Sequence, residues 1–268
     1  MGTEISKTQI DRLGDRLRKG SITDSDLRML DQYRRSFTEA YEMVAGAIRN
    51  QLGLEPTGRP AKSTTSIAEK LRRESIRLTQ IQDIAGCRLI VPDISEQDRL
   101  VAFIVKLFSD CTVVDRRENP SHGYRAVHII VTIEKKTVEI QVRTALQQEW
   151  AEVSEKLADL IDPAIKYGHG NEDAVKVLAA ASRMVATHER LESEILEAQQ
   201  LVSETLGNVN LTDETRDYII SLQGRLNSSR EMATNGKEQA FKELREFIDA
   251  YQNNRKESNV IPNRIRSK

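Results

Sequence analysis

The segment 138–143 constrains the fold more than any other part of the sequence. Its apolar residues, two valines and an isoleucine, alternate strictly with Glu139, Gln141 and Arg143. Because successive side chains of a β-strand point to opposite faces of the sheet, this alternation predicts a strand with one buried face. The opposite face would carry an acid, an amide and a guanidinium group, a combination that suits a magnesium–phosphate site. An ordinary surface strand can show the same alternation.

A second β-rich run, residues 126–133, precedes this strand, and the charged residues between the two runs predict a hairpin. The hairpin register decides whether His128 shares a face with Glu139. If Ile133 opposes Thr137, His128 points to the other face of the sheet. An even number of loop residues instead puts His128 on the Glu139 face, opposite Arg143. A common site for His128 and Glu139 therefore requires the even-numbered loop.

The remaining pattern predicts a mixed α/β (α+β) fold, with a mixed, largely antiparallel β-sheet flanked by helices. N-terminal helices precede the sheet, and a helical C-terminal extension with a basic tail follows it. We divide the chain into an N-terminal helical segment, a core and a C-terminal helical region, with bounds 1–56, 57–162 and 163–268. The predicted helices are 6–52, 63–77, 100–108 and 144–160, and the further strands are 88–91 and 112–115; a break is predicted at 53–60.

Composition indicates a soluble, helix-rich protein. Of the 268 residues 38% are apolar, 4% are aromatic and 30% are charged. No segment approaches the roughly 20 apolar residues that cross a bilayer, and the first twenty residues lack the apolar centre of a signal peptide. Cys87 and Cys111 do not form a C-x-x-C motif, so neither a disulfide framework nor a zinc motif is expected. A cytoplasmic location and no membrane partner are the resulting expectations.

Charge is unevenly distributed along the chain. The formal net charge is −1, yet residues 59–88 contain seven basic and three acidic side chains, a local net charge of +4. A small basic concentration in a neutral protein favours a compact anionic ligand over a long nucleic acid.

Two segments in this basic region could carry chemistry. Arg59, Lys62 and Ser63 follow a glycine- and proline-containing break and lead into a predicted helix, where cations and backbone N–H groups form an anion site. A solvated basic loop would look the same. Further on, Asp83 precedes a strand that Arg88 opens, so a carboxylate could bind magnesium while the guanidinium stacks on a base or pairs with phosphate. An ordinary loop-to-strand junction is the alternative.

Together with Gly123-Tyr124-Arg125-Ala126-Val127-His128 and the alternating strand, these segments resemble the RelA/SpoT synthetase domain, specifically the small single-domain alarmone synthetases. The resemblance covers residues 59–157 and includes Lys70 and Trp150, with the motifs in the family's order. One residue commonly separates the arginine and lysine of the first motif, whereas Pro60 and Ala61 separate them here. Where Ser-Leu is frequent in the family, this chain has Ala126-Val127.

The resemblance implies a GTP diphosphokinase of the stringent response, which moves pyrophosphate from ATP to the 3′-hydroxyl of GTP or GDP, makes (p)ppGpp and releases AMP. It also implies Mg²⁺ as cofactor. Asp83 and Glu139 would be the catalytic residues and the metal ligands. The implied ATP-binding residues are Arg59, Lys62, Ser63, Lys70 and Arg88. The implied acceptor-binding residues are Tyr124, Arg125, His128, Gln141 and Arg143, with Tyr124 stacking on guanine.

Two other functions stay open. Some small family members are toxins that pyrophosphorylate the 3′ end of tRNA, or use adenine nucleotides, and a basic surface beside the pocket would favour tRNA. Its candidates are Arg116-Arg117, Lys135-Lys136 and the tail with Arg264, Arg266 and Lys268. The other alternative is a non-catalytic nucleotide sensor, which intact Asp83 and Glu139 disfavour.

Three further expectations concern partners and activity. We expect homo-oligomers through the C-terminal helices and consider an antitoxin partner. Because none of the four histidines precedes an aspartate, no His-Asp hydrolase motif is present, and we expect synthesis without hydrolysis.

Overall fold

The computed structural model of the chain describes residues 5–207 and 211–259. The chain forms two compact units. The first comprises the residues up to Pro92, Glu96–Asn119 and Ala126–Thr144, and the second comprises Asp93–Ser95, Pro120–Arg125 and the residues from Ala145 onward. The three segments predicted from the sequence divide the residues differently, and that division stays a prediction.

The first unit contains a five-stranded sheet within the described residues, with strand order β1-β2-β5-β4-β3. Only β2 and β5 are parallel, and the other three pairings are antiparallel. The predicted mixed, largely antiparallel sheet is therefore confirmed. The strands are β1 (Thr57–Arg59), β2 (Ala85–Val91), β3 (Cys111–Asp115), β4 (Val127–Ile133) and β5 (Lys136–Thr144).

Two features of this sheet differ from the sequence-based expectation. The predicted break at 53–60 contains β1, which has no apolar residue and is exposed throughout, so hydrophobic patterning could not detect it. The strand predicted at 88–91 begins earlier, at Ala85, because the small residues Ala85 and Gly86 already pair with β5.

The helices of the first unit are α1 (Lys7–Lys19), α2 (Asp24–Arg35), α3 (Thr38–Leu52), α4 (Thr64–Arg73) and α5 (Ile94–Leu107), the first two residues of α5 grouping with the second unit. The predicted N-terminal helical stretch 6–52 thus consists of three helices, α1, α2 and α3. Gly20 adopts the left-handed conformation and terminates α1. Thr23 is the N-cap of α2, and its hydroxyl is part of a capping box. The helix predicted over 63–77 ends at Arg73.

The core of the first unit lies between the apolar face of the sheet and the helices. Val138, Ile140 and Val142 of β5 are fully buried and belong to one cluster with residues of α1, α3 and α5. Consequently the polar residues of β5 face the opposite side, as the alternation predicted.

The second unit is helical. It contains α6 (Ala145–Leu160), a 3-10 segment (Pro163–Tyr167), α7 (Glu172–Leu206) and α8 (Asp213–Asn259). Phe241 and Ile248 of α8 are buried with Trp150 of α6 and Leu178 of α7. Among the helices in the described ranges, none combines the length and the apolar character that a membrane span requires.

Candidate active site

The site is built on the polar face of the sheet, where directly paired residues share a face. His128 of β4 lies opposite Gln141 of β5, and Gln141 lies opposite Arg88 of β2. In the neighbouring row, Glu139 lies opposite Gly86, which pairs with Arg59 of β1. Residues from four strands therefore line one surface.

The β4–β5 hairpin has the even-numbered loop that a common site requires. Ile133 pairs with Lys136 across a two-residue turn, so His128 and Glu139 share a face, and His128 Nδ1 lies 2.7 Å from Glu139 Oε1. The even number of loop residues is confirmed, but His128 opposes Gln141 rather than Arg143. The reason is that Lys136 belongs to the strand instead of the loop.

Glu139 is held by the polar side chains beside it. Gln141 Nε2 donates to Glu139 Oε2 at 2.7 Å, and Arg143 Nη2 donates to Gln141 Oε1 at 3.1 Å. The hydrogen bonds thus run along β5 from a buried guanidinium through an amide to the carboxylate. Because both carboxylate oxygens have partners, the orientation of Glu139 is fixed before any ligand binds.

Opposing effects act on the ionisation of Glu139. Burial raises its pKa, but the hydrogen bond and charge of His128 and the hydrogen bond from Gln141 lower the pKa more, so that the net shift is downward. The negative charge of Asp83 also acts on Glu139 and opposes its ionisation. Glu139 is consequently a carboxylate at neutral pH and a weak base.

Asp83 lies between two lysines. Lys62 Nζ is 2.6 Å from one carboxylate oxygen and Lys70 Nζ is 3.0 Å from the other. Their positions follow from the local fold, because the backbone N–H of Lys62 donates to the carbonyl of Ile84 and Lys70 lies on α4. The exposed fraction of the Asp83 side chain is 18%, so the pairs are shielded from much of the solvent.

Burial raises the pKa of Asp83, but the charges and hydrogen bonds of Lys70 and Lys62 together lower its pKa below the ordinary value. Asp83 is therefore ionised at neutral pH. Since two cations surround one anion, this cluster carries an excess of positive charge that suits a phosphate group.

Asp83 and Glu139 are suitable magnesium ligands. Gly86, three residues after Asp83, pairs in parallel with Glu139, which brings the carboxylates within electrostatic range of each other. The described residues hold no group of three or more His, Cys, Asp and Glu side chains that could bind a metal. Magnesium, however, is commonly bound by one or two carboxylates plus substrate phosphates and water, and the two carboxylates fit that donor set.

The other predicted ATP-binding residues have these positions. Ser63 is the N-cap of α4, and its hydroxyl accepts from Ser66 N–H and donates to Ser66 Oγ. Arg59 is exposed at the end of β1, and Arg88 is half-buried on β2. A ten-residue helix capped by Ser63, with Lys62 before it, has the form of an anion site.

Two glycines allow close strand contact beside this site. A Cβ added to Gly58 would lie 2.5 Å from the Gly86 carbonyl oxygen and 2.6 Å from Cys87 Cα. A Cβ on Gly86 would lie 2.8 Å from the Glu139 carbonyl oxygen. No side chain fits at either contact without a shift of the backbone.

Tyr124 and Arg125, predicted to bind the acceptor, belong to the second unit. The Tyr124 ring meets Trp150 edge to face, with centroids 6.4 Å apart, and Arg125 Nη2 lies 3.2 Å from Glu189. Sequence reasoning missed Glu189, a buried acid on α7. The available signal was its position four residues after Val185, on the buried stripe of the helix.

The basic residues considered for tRNA are partly engaged in contacts within the first unit. Arg117 contacts both Asp115 and Asp98. Lys136 donates to Ser36 and lies over the Phe37 ring, 4.8 Å from its centroid. The basic tail residues Arg264, Arg266 and Lys268 lie outside the described residues. The described part of the candidate surface thus carries fewer exposed cations than the sequence indicates.

Comparison with known protein families finds a match within the chain. A family model described as a region found in RelA / SpoT proteins matches residues 58–158, which include each of the residues described above for the first unit's site. The resemblance to this family inferred from the motifs is therefore confirmed.

The chain is also similar to individual proteins. It is 34% identical over 166 residues to an uncharacterised protein of Mycobacterium tuberculosis, covering 56% of this chain and 61% of that protein. It is 32% identical over 122 residues to the GTP pyrophosphokinase YwaC of Bacillus subtilis, covering 39% of this chain and 58% of YwaC. The structure of small alarmone synthetase 1 from Bacillus subtilis aligns with a TM-score of 0.47 and 29% identity, covering 68% of this chain and all of that one.

Proposed function

From the finding that residues 58–158 carry the RelA/SpoT region, we propose that this protein is a nucleotide pyrophosphokinase. It transfers pyrophosphate from ATP to the 3′-hydroxyl of GTP or GDP, forms (p)ppGpp and releases AMP. The observation that carries the proposal is the arrangement of two ionised carboxylates and two lysines at the paired ends of β2 and β5. Similarity to a protein named GTP pyrophosphokinase supports the guanine nucleotide as acceptor.

The chemistry requires positioning and charge neutralisation more than covalent participation of the protein. The acceptor 3′-oxygen forms a bond to the β-phosphorus of ATP, while the bond from that phosphorus to the α,β-bridging oxygen breaks. The electrons of the broken bond leave with AMP. The proton of the 3′-hydroxyl passes to water, while the Glu139 carboxylate accepts a hydrogen bond from that hydroxyl and orients it.

Lys62 and Lys70 would neutralise the negative charge of the triphosphate. When ATP binds, the two ammonium groups would leave the Asp83 carboxylate and pair with phosphate oxygens. Asp83 would then be available to bind a cation. Arg59 and the N-terminus of α4 after Ser63 would bind further phosphate oxygens. Arg88 would lie against the adenine ring.

Magnesium, when bound, would neutralise the pyrophosphate as it transfers. Asp83 and Glu139 would hold it. The lowered pKa of each carboxylate supports this assignment, because both remain anionic at neutral pH. His128 and Gln141 would keep Glu139 oriented toward the metal, as hydrogen-bonded neighbours of metal ligands commonly do.

The acceptor nucleotide would contact Tyr124, Arg125 and Arg143. Tyr124 would stack on the guanine, since a flat ring binds a base while its hydroxyl stays hydrated. Arg125 and Arg143 would lie near acceptor phosphates. The contacts that engage Arg117 and Lys136 make a nucleotide the better-supported acceptor than tRNA.

The test is a transfer assay with ATP labelled on the γ-phosphate, magnesium, and GDP, GTP, an adenine nucleotide or deacylated tRNA in separate reactions. We expect label on GDP or GTP together with equimolar AMP. Asp83→Asn and Glu139→Gln should each lower the rate by about 100-fold or more. Glu55→Gln, which changes an exposed carboxylate paired with Arg49, is the matched control and should keep the rate.

The other outcomes separate the alternatives. Label on tRNA or on an adenine nucleotide alone would support the proposed site but show that the acceptor is not GDP or GTP. Label on no acceptor, with ATP binding intact, would contradict the enzymatic proposal and favour a nucleotide sensor.

A further inference from the structure

The segment that carries Tyr124 is fixed by helices of its own unit. We call Pro120–Arg125 the acceptor segment; it lies within the second unit. Its backbone carbonyl at Gly123 accepts a hydrogen bond from Ser182 Oγ of α7 at 2.7 Å. Ser182 is buried, so this hydrogen bond is protected from competition by water.

Gly123 permits a contact that another residue would prevent. Its φ of 88° is in the left-handed region, and an added Cβ would lie 3.0 Å from Ser182 Cβ and 3.1 Å from Trp150 Cζ2. The backbone of the acceptor segment therefore rests directly on α6 and α7.

An ion pair fixes the end of the segment. Arg125 Nη2 and Nε lie 3.2 and 3.3 Å from Glu189 Oε2, and Gln147 Nε2 of α6 donates to Glu189 Oε1 at 2.7 Å. The exposed fraction of the Glu189 side chain is 5%. Burial of a carboxylate is unfavourable unless it is paired and hydrogen-bonded, and here both oxygens have partners.

Trp150 reports on this arrangement. It is the single tryptophan of the chain, its ring meets the Tyr124 ring edge to face, and its Nε1 donates to the Leu178 carbonyl of α7. A movement of Tyr124 changes the surroundings of the indole, so tryptophan fluorescence follows the acceptor segment directly.

We propose that Ser182 and Glu189 of α7, which lie outside residues 58–158, are positioning residues that hold the acceptor segment in the conformation that binds the acceptor base. The inference rests on the proposed function, in which Tyr124 contacts that base. Under this proposal the C-terminal helices contribute to the affinity for the acceptor, whereas ATP binding depends on the first unit.

The test combines binding and kinetics in the full-length protein. GDP and GTP are titrated against Trp150 fluorescence in the wild type and in Glu189→Gln and Ser182→Ala variants. Glu189→Gln keeps the size of the side chain and removes its charge, and Ser182→Ala removes the hydroxyl alone. Glu194→Gln, an exposed carboxylate on the same helix, is the matched control. Thermal unfolding verifies that each variant is folded.

We expect Kd and KM for the guanine nucleotide to rise about tenfold in both variants, with KM for ATP changed less than about twofold and the control unchanged. Hydrogen exchange of Pro120–Arg125 should become faster in Glu189→Gln.

Equal loss of affinity for ATP and acceptor would indicate general destabilisation and overturn the inference. Unchanged acceptor affinity in folded variants, or no binding of GDP and GTP to the wild type, would also overturn it. Binding to the wild type without pyrophosphate transfer would contradict the proposed function instead, and the variants would still test the positioning role.

Discussion

At the scale of single residues, the ionised carboxylate of Asp83 contributes to stability through its two lysine partners. Asp83→Asn leaves Lys62 and Lys70 as neighbouring, partly buried cations, so we expect a loss of about 2–3 kcal/mol in the free energy of unfolding at neutral pH. The measurement is urea-induced unfolding. Asp31→Asn is the control; its surface pair with Arg35 should contribute less than about 1 kcal/mol.

The pH dependence of this difference follows from the sign of the pKa shift. Because the pKa of Asp83 is lowered in the folded protein, the ionised carboxylate stabilises the fold at pH values above its ordinary pKa of 3.8. That contribution is lost as the pH falls through the lowered pKa. The difference between wild type and Asp83→Asn should therefore be complete at neutral pH and shrink below about pH 4. A difference independent of pH would contradict the role of the two ion pairs.

The two cysteines should differ in reactivity. Burial, with a smaller effect from the negative charge of Glu139, raises the pKa of the Cys87 thiol to about 12. Since the thiolate is the reactive form, Cys87 should not react with a thiol reagent at neutral pH in the folded protein. Half-buried Cys111 should react first, and both thiols should react in denaturant. The Cys111→Ser variant isolates Cys87, and rapid labelling of that variant would show the prediction wrong.

Residue types in the site were easier to predict than their contacts. Glu139, Gln141 and Arg143 share a face because a strand has a two-residue period, which the sequence displays. By contrast, the two lysine contacts of Asp83 depend on where α4 and the residues before it lie relative to Asp83, and no local pattern encodes that placement. The position of Glu189 on the buried stripe of α7 signals its burial, but its partners come from α6 and the acceptor segment, which that pattern does not reveal.

At the scale of secondary-structure elements, the β4–β5 turn is a place where sequence and backbone disagree. Glu134 and Lys135 have φ values of 48° and 68°, the left-handed pair that two-residue hairpins favour and that suits Asn-Gly. Lys135→Gly should therefore stabilise the protein by about 1 kcal/mol. Lys135→Ala removes the same charge but keeps the Cβ, and it should give no gain. Thermal or urea unfolding measures both, and equal stabilisation would assign the effect to charge.

The contact of β1 with β2 gives a second prediction at this scale. Gly58→Ala would force a Cβ into the β2 backbone, so we expect a loss of about 1–3 kcal/mol in the free energy of unfolding. Under the proposed function, ATP binding should also weaken, because Arg59 moves with the strand. Gly46→Ala is a matched control, because Gly46 lies within α3 with open space around it. That substitution should stabilise the protein by about 0.5–1 kcal/mol. Equal effects of the two substitutions in urea unfolding would contradict the close contact.

Elements with strong periodicity were predictable, and those defined by tertiary pairing were not. The β4–β5 hairpin and α6 follow the sequence pattern closely. The exposed strand β1 exists only because β2 offers it a partner. Between α2 and α3 neither glycine nor proline marks the end of a helix, so the predicted helix was too long.

At the scale of the whole molecule, the C-terminal helices have both buried and exposed apolar residues. Ile195 and Val202 of the predicted α7 stripe are buried, whereas Leu191 is 41% exposed. Further exposed apolar side chains lie along α7 and α8: Leu201, Tyr218, Ile220 and Met232. Exposed apolar residues on long helices are typical of association surfaces.

We therefore expect the purified protein to form a homo-oligomer, with a mass that is a multiple of 30.4 kDa in light scattering. Met232→Glu should lower that mass, because it introduces a charge on the apolar surface. Ser228→Glu, at an exposed polar position of the same helix, adds the same charge and should leave the mass unchanged. If the protein is a monomer at high concentration, the prediction is wrong and these residues do not form a self-association surface.

The parallel pairing of β2 with β5 has a consequence for how the protein is made. These neighbours are separated along the chain by α5, β3 and β4, and pairing across such a distance forms late because closing the intervening loop costs entropy first. On the ribosome, Asp83 emerges well before Glu139, and the two carboxylates meet only after β5 has left the exit tunnel. Chains that terminate before β5 therefore lack the paired carboxylates that the proposed pyrophosphate transfer requires.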